Sequence, residues 1–379
     1  MTRIVSRRDF LKLAGLGLGA MAFKPYSSSG REILASPKRL PEFPNSTIIG
    51  RIVDTNIDLR SRPTNDPSLN TSIRKLEPDA LVQWDREVVG HVVGGLTNQR
   101  YVETPEGYIY GSAVQPTRNQ PNAPITEIPA GQSGFWAEVT VPYVDLAHEG
   151  NMASPWLRDL IAYNFPPRLY YGQVVWMDKI RTSNGFSEYR WNEDANGRGY
   201  GYGAYGEFFW ADGAGFKVLT DDDVATIHPD VDPNNKTILL NLYYQTLSCY
   251  EGTNEVYFCR VSSGMVHDPA TGLVSDEYAT PAGTLLTHWK IISKNMTAGD
   301  EAAGYSTPAV PWCTYIQGGI AIHGAHWHNA FGEVRSHGCV NVSPEDAKWI
   351  FRWTTPFVSL AAGEERRTLP DHGTIVNSI

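Results

Sequence analysis

The chain has 379 residues, of which 41% are hydrophobic and 19% charged, and its formal net charge is −9 at pH 7. This composition indicates a folded protein of two or three domains. The negative charge argues against a nucleic-acid partner and gives no support to binding of an anionic membrane surface. The 35 glycines, 19 tyrosines and 11 tryptophans favour strands and turns over long helices, so we expect a mainly β fold.

The first residues resemble an export signal. Arg7 and Arg8 precede a short apolar, glycine-rich run at 13–23, a pattern similar to twin-arginine leaders, which carry folded proteins across a membrane. The sequence thus predicts an export signal over 1–25, a tether over 26–46 and an extracytoplasmic location in the cell envelope. The run is short for a membrane span and no clear cleavage site follows it. An uncleaved leader is therefore the one membrane attachment that we expect.

Residues 47–116 are predicted to form a small β barrel. Short strands alternate with Gly, Pro and Asn turns, as in NIDLRSRP at 56–63 and GYIYGSAVQP at 107–116. These two pieces resemble bacterial SH3-like domains, which often accompany cell-wall enzymes. The resemblance leaves two roles equally open, a wall-binding module and a spacer without a ligand. A linker rich in Pro and Gly is predicted over 117–134.

The middle region, 135–226, is predicted to be rich in strands and could contain a second SH3-like module. Its glycine-rich interval at 192–206 is expected to be a surface insertion, with a substrate-shaping flap as the alternative. The three aspartates at 221–223 lack the spaced acidic pattern of a calcium loop, so we expect them to cap a helix or face solvent.

From residue 227 onward the pattern is steadily that of strands, with a buried strand predicted over 236–244. Cys249 and Cys259 flank a probable hairpin turn; they could form a disulfide or be two small buried hydrophobic residues. The one strong helix signal is Pro344–Trp353, which Ser343 precedes as N-cap and which has proline at its first position.

The segment 320–351 concentrates reactive side chains. It holds four of the ten histidines and one of the four cysteines. His323 is predicted at the end of a strand that Gly324 breaks, a place where catalytic groups often lie on loops held by a rigid sheet. Cys339 follows sixteen residues later. Cysteine and histidine form the minimal acyl-transfer pair, because the thiolate attacks a carbonyl while the imidazole keeps the thiol deprotonated and later shuttles the proton.

Two motifs of this segment are similar to the signature of the YkuD-type L,D-transpeptidases. They are His323-Gly324 and the run SHGCVNV at 336–342, and the pieces TPAGT at 280–284 and DAKWIF at 346–351 agree with them. The resemblance implies a β-sandwich-like catalytic domain with a short helix after the cysteine loop. It also implies an enzyme that cleaves a peptidoglycan tetrapeptide stem before its terminal D-Ala and forms a thioester with the cysteine.

The resemblance predicts a domain over 227–357, followed by a C-terminal tail over 358–379. It implies Cys339 as nucleophile and His323 as general base, with the carbonyl of Gly324 orienting the imidazole. The resemblance also assigns further residues by position. The oxyanion pocket and its support are assigned to Ser336, His337, Gly338, Gly324 and Asn341. The substrate walls are assigned to Tyr305, Tyr315, Trp327 and His326. The partners implied are peptidoglycan stem peptides, as acyl donor and as amine acceptor. No cofactor is implied.

Three alternatives remain at the level of sequence. Water could be the acceptor, which would make the enzyme an L,D-carboxypeptidase. The histidines with Cys339 could instead bind zinc, as in a metal-dependent hydrolase, but their spacing matches no common zinc motif and we predict no metal. A third possibility is a wall-binding protein with an inactive catalytic domain, against which the intact His323 and Cys339 argue.

Overall fold

The computed structural model describes residues 39–94, 98–183, 185–196, 203–267, 273–298, 305–367 and 373–379. The predicted leader and most of the tether lie outside the described residues, so export stays a prediction. The described residues fall into two compact units. The first takes those up to Leu219 together with Lys294–Ala309 and His326–His328, and the second takes Thr220–Ser293, Val310–Ala325 and Asn329–Ile379. No described helix is long and apolar enough to cross a membrane.

The first unit begins with eight short strands. They are β1 Ile49–Ile52, β2 Ile57–Arg60, β3 Ser72–Leu76, β4 Leu81–Gln83, β5 Arg86–Val89, β6 Arg100–Thr104, β7 Gly107–Tyr110 and β8 Val114–Thr117. They pair antiparallel in two sheets, ordered β4-β1-β8 and β3-β2-β7-β6-β5. Ile52, Leu59, Val102 and Ile109 form a common buried core. Short antiparallel strands fit the predicted small β domain, whose SH3-like identity stays a prediction.

The middle region is a larger sheet with one short helix. Its elements are β9 Phe135–Val139, β10 Tyr143–Asp145, β11 Ala147–Glu149, α1 Pro155–Ala162, β12 Arg168–Tyr170, β13 Val174–Ser183, β14 Phe186–Asn192, β15 Phe208–Asp212 and β16 Phe216–Val218. Six strands are ordered β11-β15-β14-β13-β9-β16 around a core that includes Trp191 and Phe209, and β10 pairs with β12. The sequence did not predict α1, because eight residues with three buried side chains give a weak periodic signal.

The second unit contains two five-stranded sheets. Its elements are α2 Asp221–Val224, β17 Lys236–Asn241, β18 Thr246–Glu251, β19 Asn254–Arg260, β20 Gly283–Leu286, β21 Trp289–Ala298, β22 Tyr305–Gln317, β23 Ile320–Gly324, β24 Val340–Val342, α3 Pro344–Trp353, β25 Glu364–Arg366 and β26 Ile375–Ser378. The sheet orders are β19-β18-β17-β26-β20 and β24-β23-β22-β21-β25. The last residues of β21, from Lys294, and the first residues of β22, up to Ala309, belong to the first unit.

Short 3-10 helices complete the described secondary structure; they are Pro67–Leu69, Gly111–Ala113, Glu193–Ala195, Gly213–Gly215 and Pro233–Asn235. The predicted capping role of the aspartates at 221–223 is confirmed for Asp223. Its carboxylate accepts the backbone N–H of Thr220 at 3.0 Å in a capping box at the start of α2.

Two expectations for the second unit differ from the structure. The strand predicted over 236–244 ends at Asn241, whose side-chain oxygen accepts the N–H groups of Tyr243 and Tyr244 and so turns the chain. The expected tail at 358–379 instead contains β25 and β26. β26 lies between β17 and β20, and its buried Val376 pairs with Ile238. A strand of four residues with only two inward side chains is too short to be recognised from sequence.

The hairpin and the helix are confirmed. β18 and β19 flank the turn at 252–253, and Cys249 and Cys259 are free, buried thiols. Ser343 caps α3, since its hydroxyl accepts the N–H of Asp346 at 3.1 Å.

The C-terminal end of α3 is held by two buried lysines. Lys236 donates to the carbonyl of Trp353 at 3.3 Å and Lys290 to that of Thr354 at 2.8 Å, where the helix carries its partial negative charge. Buried apolar side chains fix the inner face of the helix against the strands. The helix that follows the cysteine loop is thus anchored at both ends.

Candidate active site

The register of two strands brings His323 and Cys339 to one place. β23 and β24 run parallel, with Ile322 opposite Val340 and His323 opposite Asn341. Cys339 directly precedes β24 and therefore lies beside Ala321. Extended by one residue beyond the start of β24, this register puts His323 and Cys339 on the same face, with their Cα atoms about 8 Å apart on the diagonal at standard strand spacings. An imidazole can reach a thiol across that distance.

His323 is oriented by its own backbone. Its side chain is buried, with 3% of the residue exposed, and Nδ1 lies 3.3 Å from the carbonyl oxygen of Gly324. A carbonyl oxygen only accepts hydrogen bonds, so Nδ1 carries the proton and Nε2 is the basic nitrogen. Burial lowers the pKa of His323 to about 4, against the smaller opposing effect of the Gly324 carbonyl. The imidazole is therefore neutral at physiological pH and can take up a proton.

Cys339 is half-buried, and its Sγ lies 3.8 Å from the carbonyl oxygen of Gly319. Burial raises the pKa of the thiol to about 11, while a backbone hydrogen bond from Ala321 acts in the opposite direction. Burial thus favours the neutral thiol and the neutral imidazole, because a buried site disfavours both charged forms. The expectation that the imidazole keeps the thiol deprotonated stays a prediction.

This charge state predicts how thiol reactivity depends on pH. Alkylation of Cys339 by iodoacetamide should accelerate about tenfold per pH unit between about pH 6 and 9, because the thiolate fraction grows in that proportion below the thiol pKa. Intact-protein mass spectrometry can follow the single site, since the other three cysteines are buried. A rate that stays level from about pH 5 to 7 would instead indicate a preformed thiolate–imidazolium pair and contradict this charge state.

Gly324 has no room for a side chain. A β-carbon there would lie 2.9 Å from Cγ of Pro311 and 3.0 Å from Cα of Pro344 at the start of α3. The glycine therefore lets α3 pack directly on the end of β23. This contact joins the strand that carries His323 to the helix that follows Cys339.

The cysteine loop is held by side-chain hydroxyls. Ser336 Oγ accepts the N–H of Gly338 at 3.1 Å and donates to the carbonyl oxygen of Cys339. The backbone of Ser336 is itself fixed, since its N–H donates to the carbonyl of Ser263 at 3.0 Å. Gly338 adopts φ +116°, a left-handed conformation that favours glycine. Ser336 thus fixes the backbone on both sides of Cys339 and at Gly338, while the predicted role of both residues in an oxyanion pocket stays a prediction.

Sequence reasoning did not assign roles to Ser263 and Thr280, which also hold this loop. Thr280 Oγ1 donates to the carbonyl of Gly338 at 2.8 Å. The signal available in the sequence was the TPAGT piece at 280–284. This piece indicates the family but no individual contact. The hydrogen bond could not be predicted from it, because it joins residues 58 positions apart in the chain.

The remaining predicted residues of the second unit lie in the cysteine loop, in β24 and in β22. His337 packs edge-on against Tyr278 with ring centroids 4.8 Å apart, and burial lowers its pKa. Asn341 is buried, and its backbone pairs with Ser262 on the side away from β23. Tyr315 lies opposite Ala321 in the β22–β23 pairing, but its ring stacks on Trp289 at 4.3 Å and is almost fully buried.

Tyr305, His326 and Trp327 belong to the first unit, so their predicted place in substrate walls stays a prediction. His326 is buried, its ring stacks on Tyr170 with centroids 5.6 Å apart, and its carbonyl accepts a hydrogen bond from Arg51. Among the described residues, no three His, Cys, Asp or Glu side chains are grouped so as to hold a metal ion.

Comparison with known proteins gives a consistent result for part of the chain. Residues 235–376 match the YkuD family model, described as the L,D-transpeptidase catalytic domain. L,D-transpeptidase 2 of Mycobacterium tuberculosis (strain CDC 1551 / Oshkosh) is 29% identical over 116 residues, which cover 28% of this chain and 28% of that protein. The chain therefore aligns with less than a third of the length of this curated relative.

Solved structures of L,D-transpeptidases are also similar over part of the chain. The L,D-transpeptidase from Mycobacterium smegmatis is 16% identical, with 46% of this chain and 74% of that chain covered and a TM-score of 0.30. The catalytic domain of the E. faecium L,D-transpeptidase is 20% identical, with 38% and 98% covered and a TM-score of 0.28.

Proposed function

Because residues 235–376 carry a YkuD-type L,D-transpeptidase catalytic domain, we propose that the protein is a peptidoglycan L,D-transpeptidase that works through a Cys339 thioester. The observation that carries the proposal is the register of β23 and β24, which pairs His323 with Asn341, two residues after Cys339, while Gly338 beside the thiol has a left-handed backbone conformation. These features support the proposal because acyl transfer needs a base, a nucleophile and a backbone that a carbonyl substrate can approach closely.

The first half of the reaction is acylation. His323 Nε2 takes the proton of the Cys339 thiol as Sγ attacks the carbonyl carbon that precedes the terminal D-Ala of a tetrapeptide stem. A C–S bond forms and the carbonyl oxygen becomes an oxyanion, which backbone N–H groups of the cysteine loop stabilise. The C–N bond then breaks, and the imidazolium returns its proton to the departing amine of D-Ala. A neutral imidazole suits this sequence, because the base must be unprotonated when the thiol attacks.

The second half transfers the acyl group to an amine of another stem peptide. The acceptor nitrogen attacks the thioester carbon while Nε2 takes up one of its protons. The new C–N bond forms, the C–S bond breaks, and the sulfur regains a proton from the imidazolium. The product is a cross-linked or remodelled peptidoglycan, with consequences for cell-wall biogenesis and cell shape. We further propose an extracytoplasmic location, which the resemblance of residues 1–25 to a twin-arginine leader supports.

Product analysis tests this function. Purified protein is incubated with a defined tetrapeptide muropeptide, with and without an added D-amino acid as amine, and the products are weighed by mass spectrometry. We expect loss of D-Ala together with gain of the added amine. Loss of D-Ala with only water gained would make the enzyme an L,D-carboxypeptidase and contradict transpeptidation. An unchanged muropeptide would contradict both.

A further inference from the structure

Thr280 uses both hydrogen-bonding functions of its hydroxyl on backbone groups of the active-site region. The residue is buried and precedes β20 in the TPAGT turn. Its Oγ1 accepts the N–H of Gly264 at 2.8 Å and donates to the carbonyl oxygen of Gly338 at 2.8 Å. The Gly338 carbonyl can only accept, so the single hydroxyl proton points toward it, and a lone pair of the oxygen accepts the Gly264 N–H.

The carbonyl of Gly338 belongs to the same peptide unit as the N–H of Cys339. In a trans peptide these two groups point in opposite directions. A hydrogen bond that holds the carbonyl toward Thr280 therefore holds the Cys339 N–H away from it, in a fixed direction. The N–H of the nucleophile's own residue is a donor that acyl-transfer sites use for the oxyanion.

The peptide unit needs such a restraint because of its position. Gly338 has φ +116°, and glycine is the residue with the widest choice of backbone conformations. The flanking bonds from Ser336 reach the N–H of Gly338 and the carbonyl of Cys339, which belong to the neighbouring peptide units. Thr280 thus restrains the one unit between them.

Thr280 is itself rigidly placed. A β-carbon at Gly264 would lie 1.9 Å from the carbonyl oxygen of Tyr278 and 2.7 Å from the backbone nitrogen of Thr280, so the two backbones are in direct contact. The β-branched side chain of threonine adds a stiff χ1. The hydroxyl is therefore a fixed point and not the end of a flexible side chain.

We propose that Thr280 is a positioning residue that aims the Cys339 N–H at the oxyanion of the acylation step. This inference rests on the proposed function, since it concerns carbonyl chemistry at Cys339. The proposed role predicts different effects on two reactions of the Cys339 thiol. Attack on a carbonyl creates an oxyanion and needs the aimed N–H, whereas alkylation by iodoacetamide displaces iodide at a saturated carbon and creates none.

The test measures both reactions in three proteins. Thr280→Val keeps the shape and removes the hydroxyl, Thr280→Ser keeps the hydroxyl, and the wild type is the reference. Acylation is followed with a carbapenem, whose strained β-lactam carbonyl gives a stable adduct detectable by mass, and alkylation with iodoacetamide. Thermal unfolding verifies that each variant is folded. If the valine variant does not fold, Thr280→Ala replaces it.

We expect the hydroxyl-free variant to be acylated roughly 10- to 100-fold more slowly than the wild type. Removal of a whole oxyanion donor lowers the rate by about 10²–10³-fold, and a donor N–H that is present but misdirected should lower it less. Its alkylation rate should stay within about threefold of the wild type, and Thr280→Ser should restore acylation to a similar margin. Acylation and alkylation falling together, or acylation left unchanged, would overturn the inference. So would failure of both hydroxyl-free variants to fold, which would make Thr280 a folding residue. If the wild type is acylated by the carbapenem but transfers no stem peptide, the proposed function is refuted. The comparison of the Thr280 variants would still test the role of Thr280, because it uses carbapenem acylation and not peptide transfer.

Discussion

Cys339→Ala is expected to lower turnover of tetrapeptide stems by at least about 10⁴-fold, since removal of a nucleophile leaves only binding and oxyanion stabilisation. The sulfur forms the bond that splits the reaction into two steps, and no neighbouring side chain replaces it in the proposed mechanism. Turnover is measured by quantifying released D-Ala. The wild type should also gain the mass of one carbapenem, and the variant should not.

Cys249→Ala is the matched control for the loss of a thiol. Cys249 lies in β18 of the same unit, is fully buried, and has a thiol pKa raised by that burial, so it takes no part in the proposed chemistry. Its replacement should leave turnover within about threefold of the wild type once folding is verified. Turnover that survives in Cys339→Ala would refute the thioester mechanism.

His323→Ala is expected to reduce turnover by about 10²–10⁴-fold, the range in which a positioned general base contributes. Without the imidazole, the thiol keeps its proton, because burial holds its pKa at about 11. The remaining activity should therefore rise with pH as thiolate forms, whereas the wild type, whose imidazole is unprotonated above a pKa of about 4, should vary little across the neutral range. Initial rates of D-Ala release at several pH values distinguish these profiles.

His228→Ala provides the comparison for His323→Ala. His228 belongs to the same unit, and its exposed ring contacts Glu251 at 2.7 Å. Its loss should change turnover by less than about threefold, since exposed ion pairs contribute little. If His323→Ala kept more than about a tenth of the activity, His323 would not be the general base.

Local signals in the sequence were sufficient for the elements that short-range chemistry determines. The start of α3 was predictable because Ser343 and Pro344 satisfy or remove its first N–H groups within one turn. The glycine turn between β18 and β19 was predictable for a similar reason, since turn type depends on adjacent residues. The pair His323 and Cys339 was identified by motif, and the strand register then placed both on one face.

Features that depend on distant parts of the chain were not predictable. The parallel pairing of β17 with β26 joins residues such as Ile238 and Val376, and nothing local in either strand specifies the other. The assignment of His326–His328 to the first unit likewise depends on contacts with Arg51 and Tyr170. The pKa shifts of His323 and Cys339 were also not predictable, because burial determines them and burial is a property of the folded chain.

The central position of β26 links the cysteine loop to a distant part of the chain. β20 joins its sheet through β26, and β20 follows directly on the turn that carries Thr280. Through Thr280 and β20, the direction of the Gly338 peptide is thus tied to β26, the last described strand of the chain. Contacts between residues so far apart in the chain form slowly during folding, because a long loop must close first.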